Sequence, residues 1–367
     1  MKNNCSQNKK KICFLSPKVS VLFFGKEAES FGGAEVALSF LGQELAKNQE
    51  LDISFIVADY GQKEHESINN ISFYKAFSFK DNFPVKIFKF LKQFFFVNAD
   101  IYVQRTLTPF SFLIAVLSRA LGKKFVYMVA SDIEISGPSY GYLKKMQYKL
   151  SFSVMKISNI IIVQHDKQKQ GLFDKGIKNN IYILQSGLNV DIPEYTKDRE
   201  ILWVGRAVEE KRPELFLFLA QQNPQYKFVM VLGGEKCIFS DDIEKRAKIL
   251  TNLDLYRNVK FKNVHSYYER AKILVNTAEV EGFPFSFIQA MLYGTPIIAL
   301  SCEAGSIVEK SKCGFWCDNK TNKMNEKLGL LMKDETLWNV LSNNSKDLVK
   351  KNNDIRNISQ RFLEIIQ

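Results

Sequence analysis

Side chains suited to binding a phosphorylated, hydroxyl-bearing molecule stand close together in the last third of the sequence. Glu281 lies in a Gly/Pro-punctuated loop, and Gln289 follows eight residues later in a short apolar helical pattern that stops at Gly294. Where a turn leads into a helix, several backbone N–H groups lack intrahelical partners and attract an anion, above all a phosphate. A carboxylate beside them repels phosphate but accepts hydrogen bonds from hydroxyls. Phosphate and hydroxyls together are the recognition elements of a nucleotide sugar.

Two cations about five residues apart follow an apolar strand pattern at residues 201–204. They are Arg206, directly after Gly205, and Lys211. At this spacing they can straddle a diphosphate and stabilise the negative charge that grows on a leaving group. The alternative is a solvated turn in which the charged residues 209–212 pair with one another.

The stretch 279–299 resembles the signature of retaining, GT-B-fold glycosyltransferases of family 4, which reads roughly E-G-F-G-x-P-x-x-E-A-M-A-x-G-x-P-V-I. The matching residues are Glu281, Gly282, Phe283, Ala290, Met291, Gly294, Pro296, Ile297 and Ile298. Two positions depart from the signature, because Gln289 replaces its second glutamate and the proline has moved forward to Pro284. Gly205, Arg206 and Lys211 resemble the G-R-x-x-x-x-K segment of the same family.

The resemblance implies roles for the acid and the amide. In the family the first acid contacts the hydroxyls of the donor sugar and the second holds the ribose, so Glu281 and Gln289 take these positions here. Gln289 can still accept through its amide oxygen. The alternative for Gln289 is a capping box, Ser286-x-x-Gln289, that only closes the helix start. The expected donor-binding residues of this segment are Gly282, Phe283, Phe285, Ser286 and Gln289, with phosphate held by main-chain N–H groups.

Gly32 and Gly33 precede the first long helical pattern and occupy the place where the family brings glycines to the donor diphosphate. Glycine lets the backbone approach a ligand closely. With Gly205, they complete the expected donor-binding set. A flexible loop joined to a helix cap is the alternative. No G-x-G-x-x-G follows any strand pattern, so a nicotinamide-binding fingerprint is not indicated.

The acceptor side is expected near Asp132, just after the strand pattern 124–129. Many family members place a histidine at this edge, but none is expected there in this chain. The three histidines, predicted to lie elsewhere, are His65, His165 and His265. Asp132 is therefore predicted to bind the acceptor hydroxyl or to stabilise positive charge at the anomeric carbon, with helix capping as the alternative. Gln104 and Arg105 are further acceptor-side candidates, unless they serve only packing.

No metal site and no cofactor are expected. The six cysteines show no zinc-ribbon spacing, and histidine is scarce. The chain also lacks Asp-x-Asp, which glycosyltransferases of the other common fold use to chelate a divalent metal on the diphosphate. Arg206, Lys211 and helix ends would do this work on a donor of the UDP- or GDP-sugar type.

Positive charge is concentrated in the first half of the chain. Residues 1–190 hold 25 Lys and Arg against 15 Asp and Glu, a net +10, and the rest hold 26 against 24, a net +2. Lysine-rich apolar helices over 83–97 and 142–156 are typical of an anionic membrane interface. Simple packing of these helices is the open alternative. No stretch is long and apolar enough to span a bilayer.

Alternating strand and helix patterns predict an α/β protein with two tandem Rossmann-like domains, the GT-B architecture, and an interdomain cleft. At 367 residues the chain fits two such domains. The expected divisions are 1–190, on the acceptor side, 191–350, which binds the nucleotide sugar, and a helix in 351–367 that crosses back. Predicted strands lie near 11–15, 53–58, 100–103, 124–129, 160–163, 181–184, 201–204, 227–232, 258–262, 272–275 and 296–300.

The resemblance therefore implies a metal-independent, retaining transferase that moves a sugar from a nucleotide-diphosphate sugar to a glycan or lipid-linked acceptor in cell-envelope or exopolysaccharide synthesis. Nucleic acid is not an expected partner of the enzyme. The basic lead, from Lys2 to Lys11, precedes a strand that Pro17 limits, so no signal peptide is expected. The expected location is cytoplasmic, with peripheral contact at the inner membrane left open. Two alternatives remain: a nucleotide-sugar epimerase, and a non-catalytic relative that binds anionic glycan or nucleic acid.

Overall fold

The computed structural model describes seven stretches of the chain, and these form two compact units. The described residues are 9–24, 31–108, 110–137, 142–178, 180–191, 195–302 and 304–367, with the side chains of 142–147 and 305 excepted. Within them, unit 1 comprises 9–24, 34–186 and 355–367, and unit 2 comprises 31–33 and 187–354. Lys2 of the basic lead and residues 192–194 of the expected hinge lie outside the described residues.

Unit 1 is an eight-stranded sheet with helices on both faces. Its strands are β1 (Lys10–Leu15), β2 (Leu51–Val57), β3 (His65–Ile68), β4 (Ile71–Lys75), β5 (Ile101–Arg105), β6 (Lys124–Met128), β7 (Ile160–Val163) and β8 (Ile181–Ile183). Its first helices are α1 (Ser20–Phe24), α2 (Gly33–Leu45), α3 (Phe83–Val97), α4 (Ser111–Ala120), α5 (Ile133–Ser136), α6 (Tyr142–Ile157) and α7 (Asp166–Asp174). The strand order is β3-β4-β2-β1-β5-β6-β7-β8, and only β3 and β4 pair antiparallel.

Unit 2 is a six-stranded parallel sheet in the order β11-β10-β9-β12-β13-β14. These strands are β9 (Glu200–Arg206), β10 (Lys227–Gly233), β11 (Leu253–Arg257), β12 (Ala271–Asn276), β13 (Ile297–Ala299) and β14 (Gly314–Trp316). Its helices are α8 (Pro213–Gln222), α9 (Ile238–Ala247), α10 (Phe261–Arg270), α11 (Phe285–Leu292), α12 (Ala304–Lys310), α13 (Thr321–Lys333) and α14 (Glu335–Asn352).

The last helix, α15 (Ile355–Ile366), belongs to unit 1. Its buried Phe362 stacks on Phe14 of β1, with ring centroids 6.4 Å apart. Lys124 of β6 donates a hydrogen bond to the Ile366 carbonyl at 3.2 Å. The divisions between the units fall at 186/187 and 354/355, a few residues away from those expected from the sequence.

The parallel sheets follow from short apolar runs that are buried on both faces. All residues of β7 and β12 are buried, as strands covered by helices on both sides require. The predicted α/β class with two Rossmann-like sheets is confirmed.

One predicted strand, 258–262, is wrong. The structure places β11 earlier, and Asn258 then turns with a positive φ of 48°. Phe261 begins α10, whose buried Val264 and Tyr268 lie one helical turn apart. The β3–β4 hairpin was not predicted, because β3 alternates exposed and half-buried residues and carries little apolar signal.

Candidate active site

The strand order of unit 2 reverses between β9 and β12. The chain adds β10 and β11 on one side of β9, then crosses to add β12, β13 and β14 on the other. Because the strands are parallel, their carboxyl ends share one edge of the sheet, and ligands of open α/β sheets bind at such a reversal. Arg206 ends β9, and Glu281 lies in the loop after β12. The fold therefore brings the two expected donor-binding segments to the same edge.

Lys211 and Glu281 meet at this reversal point. Lys211 lies in a 3-10 turn after β9, and its Nζ forms an ion pair with Oε1 of Glu281. The two side chains are 21% and 18% exposed, so they are partly shielded from water but still accessible. The alternative in which residues 209–212 pair only with one another is wrong for Lys211.

Arg212, the neighbour of Lys211, has a different task. Its Nε donates to the Thr277 carbonyl at 2.8 Å, and its two terminal nitrogens donate to Ser301 and Asn319. These three partners follow β12, β13 and β14, so one guanidinium joins three strand ends. Burial lowers the pKa of Arg212 from its ordinary value. From the sequence, Arg212 is either a member of a solvated turn or, with a one-residue slip in spacing, the second cation in place of Lys211, and this positioning role is not predicted.

A short hydrogen-bond chain fixes the backbone of Lys211. The indole N–H of Trp203 donates to the Thr277 hydroxyl at 2.9 Å, and that hydroxyl donates to the Lys211 carbonyl at 2.7 Å. A Cβ on Gly205 would lie 2.7 Å from the Trp203 ring, closer than carbon atoms pack. Glycine at 205 is thus explained by packing around Trp203, and donor binding by Gly205 stays a prediction.

Helix α11 presents a narrow polar face. Ser286 and Gln289, one turn apart, are its two half-exposed residues, and the other six are buried. Pro284 is the N-cap, and no side chain caps the helix start. The capping-box interpretation of Ser286 and Gln289 is therefore wrong. Both side chains remain available to a ligand lying along this face.

The remaining residues of the signature loop are packed inward. Gly282, Phe283 and Phe285 are buried, so only their main-chain groups could serve a ligand. Gly33 is the first residue of α2 but is grouped with unit 2, the rest of the helix lying in unit 1, and a Cβ at Gly33 would lie 3.1 Å from the Phe285 Cβ. This close approach explains a glycine at 33. Gly32 lies next to it, and its role in donor binding stays a prediction.

Arg206 is exposed at the carboxyl end of β9. Within the described part of the chain, its guanidinium has no hydrogen-bond or ion-pair partner. Lys211, by contrast, is already paired with Glu281. Of the two expected cations, Lys211 is therefore already paired with an acid. The Arg206 side chain has no such partner in the described part of the chain and can bind a ligand.

In unit 1 the structure brings Asp132 together with a histidine, which corrects the sequence expectation. Nε2 of His165 lies 3.0 Å from Oδ1 of Asp132, and Nε2 of Gln168 donates to the same oxygen at 2.7 Å. Nδ1 of His165 accepts the Gln168 N–H at the start of α7, so Nε2 carries the proton that faces Asp132.

The placement of His165 follows from strand order. Asp132 follows β6 and His165 follows β7, and these neighbouring parallel strands end at one edge. The position of His165 two residues beyond a predicted strand was the signal that the sequence reading missed. Capping of α5 is not the task of the Asp132 side chain, which makes no capping hydrogen bond there.

Glu134 is half-buried and lies two residues after Asp132 in the same turn. Its carboxylate accepts hydrogen bonds from the Ala130 and Ser131 N–H groups at 3.0 and 3.1 Å and from the Tyr127 hydroxyl at 2.5 Å. Burial raises the pKa of Glu134, although these donors and Arg105 oppose the shift. We interpret Glu134 as the group that holds the turn carrying Asp132.

The two further acceptor-side candidates are both buried. Gln104 donates to Thr108 and Ser111 at the start of α4, which is a packing role. Arg105 donates to Ser186 at 2.9 Å, and burial lowers the pKa of Arg105 to about 10. Of the acceptor-side candidates, only Asp132 therefore remains partly accessible.

Metal-binding clusters, membrane-spanning helices and surface depressions were considered only for the residues that the structure describes, with the following result for the site. No group of three His, Cys, Asp or Glu side chains there is close enough to hold a metal ion. No helix among the same residues is long and apolar enough to cross a bilayer. Two surface depressions of about 400 and 370 Å³ lie beside β8 and α7 and contain none of the candidate residues.

Comparison with known proteins matches unit 2 to a family. Residues 188–348 match the family described as glycosyl transferases group 1. A Campylobacter jejuni alpha-1,4-N-acetyl-D-galactosaminyltransferase, named for the acceptor GalNAc-alpha-(1->4)-GalNAc-alpha-(1->3)-diNAcBac-PP-undecaprenol, is 25% identical over 357 residues, 91% of this chain and 95% of that protein. An uncharacterized glycosyltransferase of Haemophilus influenzae is 27% identical over 220 residues, 56% of this chain. That match spans only 60% of the Haemophilus protein.

The fold has a solved counterpart that matches over nearly its whole length. The sucrose-phosphate synthase of Thermosynechococcus elongatus superposes with a TM-score of 0.81 over 98% of each chain, at 14% sequence identity. The two parallel α/β units have the fold of the GT-B glycosyltransferases. Within that fold, residues 188–348 carry the match to glycosyl transferases group 1.

Proposed function

We propose that this enzyme moves a sugar from a UDP- or GDP-type donor to a glycan or lipid-linked acceptor, with retention of anomeric configuration and without a metal ion, as in family 4. The observation that carries the proposal is the Lys211–Glu281 pair at the strand reversal of unit 2. It sets a cation suited to a diphosphate beside an acid suited to sugar hydroxyls.

The donor is held by three kinds of group. Arg206 and Lys211 contact the diphosphate, and the uncapped start of α11 adds main-chain N–H groups. Glu281 accepts hydrogen bonds from the sugar. Gln289 accepts from the ribose hydroxyls, and Ser286 extends the same polar face. An ammonium group has three protons, so Lys211 can keep its contact with Glu281 while it binds a phosphate oxygen.

The transfer needs no protein nucleophile. The bond between the anomeric carbon and the diphosphate oxygen breaks, and its electron pair leaves with the nucleoside diphosphate. The acceptor hydroxyl attacks the same face, and its proton passes to the departing phosphate oxygen. Arg206 and Lys211 stabilise the charge that develops there. Asp132, oriented by His165, is the proposed acceptor-side group.

The relatives suggest the acceptor class. The Campylobacter protein is named for a saccharide on diphosphoundecaprenol, and its match covers nearly the whole of both chains. We infer a saccharide carried on a polyprenyl diphosphate as the acceptor class, and synthesis of a cell-envelope glycan at the cytoplasmic face of the inner membrane as the setting. Such an acceptor resides in a membrane, which brings a peripheral enzyme to its surface.

A donor panel tests the proposal. UDP-, GDP- and ADP-sugars are first ranked by the thermal shift they cause. The best donor is then incubated with polyprenyl-diphosphate saccharides, with and without EDTA. We expect free nucleoside diphosphate and an extended saccharide with the anomeric configuration of the donor, and no loss of rate in EDTA. Interconversion of the sugar nucleotide without transfer would instead indicate the epimerase, and salt-sensitive polyanion binding without donor binding would indicate the non-catalytic relative.

A further inference from the structure

The outer side of α3 is apolar where a water-facing helix is normally polar. Val85, Phe88, Lys92, Phe95 and Phe96 lie along one side of the helix at spacings near three and four residues. Phe88 is 72% exposed and Phe96 is 71% exposed. This set of five residues is called the aromatic face below. Exposed large apolar patches on a folded protein mark a binding surface.

The helix that carries the aromatic face is well fixed at both ends. Asn82 caps its start by accepting the Val85 N–H at 3.1 Å, and Asn98 ends it in the left-handed conformation. On the opposite side, Phe90 and Phe94 are buried in the unit 1 core. The aromatic face is therefore exposed because the helix is anchored by other phenylalanines, and its exposure is not a consequence of loose packing.

Further exposed apolar side chains lie on α4, whose N-cap residue Phe110 stacks on Phe83 and Phe90 of α3. Phe112 and Val116 lie on its water-facing side, and Leu121 follows its end. Together α3, α4 and Leu121 hold eight of the sixteen large apolar side chains that are exposed in the described residues. Arg119 of α4 donates to the carbonyl that ends α6, and buried residues of α3, α4 and α6 belong to one core cluster, so the three helices cover the same face of the sheet. Because these exposed apolar side chains are concentrated on one layer of helices, they form a surface and are not isolated residues scattered over the protein.

Positive charge accompanies this apolar surface. The sequences of α3, α4 and α6 contain eight Lys and Arg and no Asp or Glu. Lys89 is paired with Asp81, whereas Lys92 lies within the aromatic face. The phenylalanine side chains have no polar group that needs a hydrogen-bonding partner. Lysine side chains hold their charge outward at the end of a long apolar stem. Apolar rings with interspersed lysines fit a layer of anionic headgroups over acyl chains.

We propose that the aromatic face and the adjoining surface of α4 insert into an anionic lipid bilayer, with α3 lying along its surface. The inference rests on the proposed function in one respect, since a polyprenyl-linked acceptor has to be reached at a membrane. The rings enter the boundary between headgroups and acyl chains, and Lys92 contacts lipid phosphates. The contribution of Lys92 to the free energy of membrane binding is electrostatic and therefore decreases as the salt concentration rises.

Vesicle flotation of the full chain tests the proposal without any substrate. Vesicles of phosphatidylcholine alone are compared with vesicles containing about 30 mol % phosphatidylglycerol, enough to give an anionic surface. The test variant is Phe88→Ser/Phe96→Ser. The matched control, Ile238→Ser/Ile249→Ser, removes two even more exposed apolar side chains, 92% and 78% exposed, from unit 2. Lys92→Glu is paired with Lys245→Glu, an exposed lysine of α9.

We expect the native chain and both controls to float with the anionic vesicles. The double phenylalanine variant should lose about tenfold or more in partitioning, and Lys92→Glu should lose about tenfold at low salt. Equal flotation of the native chain and the double variant would overturn the proposal, as would no flotation of either. A dimer that the phenylalanine changes dissociate, without vesicle binding, would assign the face to a second copy instead.

Donor-induced thermal shifts separate this inference from the proposed function. Phe88→Ser/Phe96→Ser should keep the donor shift of the native chain, because neither residue lies in unit 2. Lost flotation with retained donor binding supports docking. Absent flotation of the native chain with retained donor binding rejects docking and leaves the transferase proposal intact.

Discussion

Lys211 and Glu281 form an ion pair although they are 70 residues apart in the chain. The contact exists because β9 and β12 are parallel neighbours, so the loops after them leave the sheet at the same edge. Trp203, Thr277 and Arg212 then fix the two loops. In the proposed transferase, this pair is the junction between the part of the donor that departs and the part that is transferred.

Replacing Glu281 should abolish transfer with little loss of stability. Glu281→Ala removes the acceptor for the sugar hydroxyls, and we expect turnover to fall by about 100-fold or more. A partly exposed ion pair contributes only about 1 kcal/mol or less, so the melting temperature should change little. The matched control is Glu279→Ala, an exposed acid of the same loop. Equal losses in the two variants would mean that loop charge alone matters.

Restoring the family glutamate should strengthen donor binding. Gln289 is half-exposed beside Ser286 and caps nothing, so Gln289→Glu leaves the helix intact. A carboxylate accepts hydroxyl hydrogen bonds more strongly than an amide, which predicts a rise in donor affinity of about fivefold. Calorimetric titration with the best donor measures it. A drop in melting temperature with unchanged affinity would contradict a ribose-binding role.

The task of His165 can be separated from its capping of α7. Asparagine is a preferred N-cap, so His165→Asn keeps the start of α7 but loses the contact with Asp132. We expect normal stability and a fall of about tenfold in kcat, because Asp132 loses an orienting partner. His165→Ala, which removes the cap as well, should also lower the free energy of unfolding by about 1 kcal/mol. Full activity in His165→Asn would make the pair purely structural.

A half-buried lysine at the opposite edge of unit 2 should make stability depend on pH. Lys197 donates to the Tyr268 carbonyl at 2.7 Å and to the Thr295 hydroxyl at 2.6 Å. Burial and the nearby charge of Lys346 lower the pKa of Lys197 to about 7, from 10.5. Between these values the unfolded chain holds a proton that the folded chain has lost. Stability contributed by this residue therefore rises as the pH rises from about 7 toward 10.5.

Urea unfolding of Lys197→Met across this range measures the effect. The free energy of unfolding of the native chain should gain on that of the variant with rising pH, by at most about 1.4 kcal/mol per pH unit. Lys245→Met, at an exposed lysine, should run parallel to the native chain. Parallel profiles for native chain and Lys197→Met would mean that Lys197 titrates normally when folded.

The sequence predicted the strands that are apolar and buried on both faces, such as β7 and β12. Glu281 and Lys211 follow such strands as expected, and donor binding by their segments stays a prediction. The sequence did not predict the hairpin β3–β4, in which β3 alternates between exposed and half-buried residues, and it misplaced β11 by about one strand length. Edge elements carry a weak apolar pattern, because few of their residues enter the core.

The pairs within the site could not be predicted, because they depend on strand order. His165 and Asp132 are far apart in the sequence, and only the adjacency of β6 and β7 brings them together. Arg212 resembles a surface residue in sequence, and its fork joins three strand ends only once β12, β13 and β14 are side by side. The residue types in the sequence indicated which chemistry the site could perform. The order of the strands determined which side chains contact one another.

The most direct test compares the binding of UDP and of a UDP-sugar, or the corresponding GDP pair, in two variants by calorimetry. Lys211→Met should weaken both ligands, because it removes a cation from the diphosphate. Glu281→Ala should leave the nucleoside diphosphate bound as tightly as before and should remove the extra affinity that the sugar provides. If both variants bind both ligands like the native chain, the Lys211–Glu281 junction does not hold the donor and the central claim is wrong.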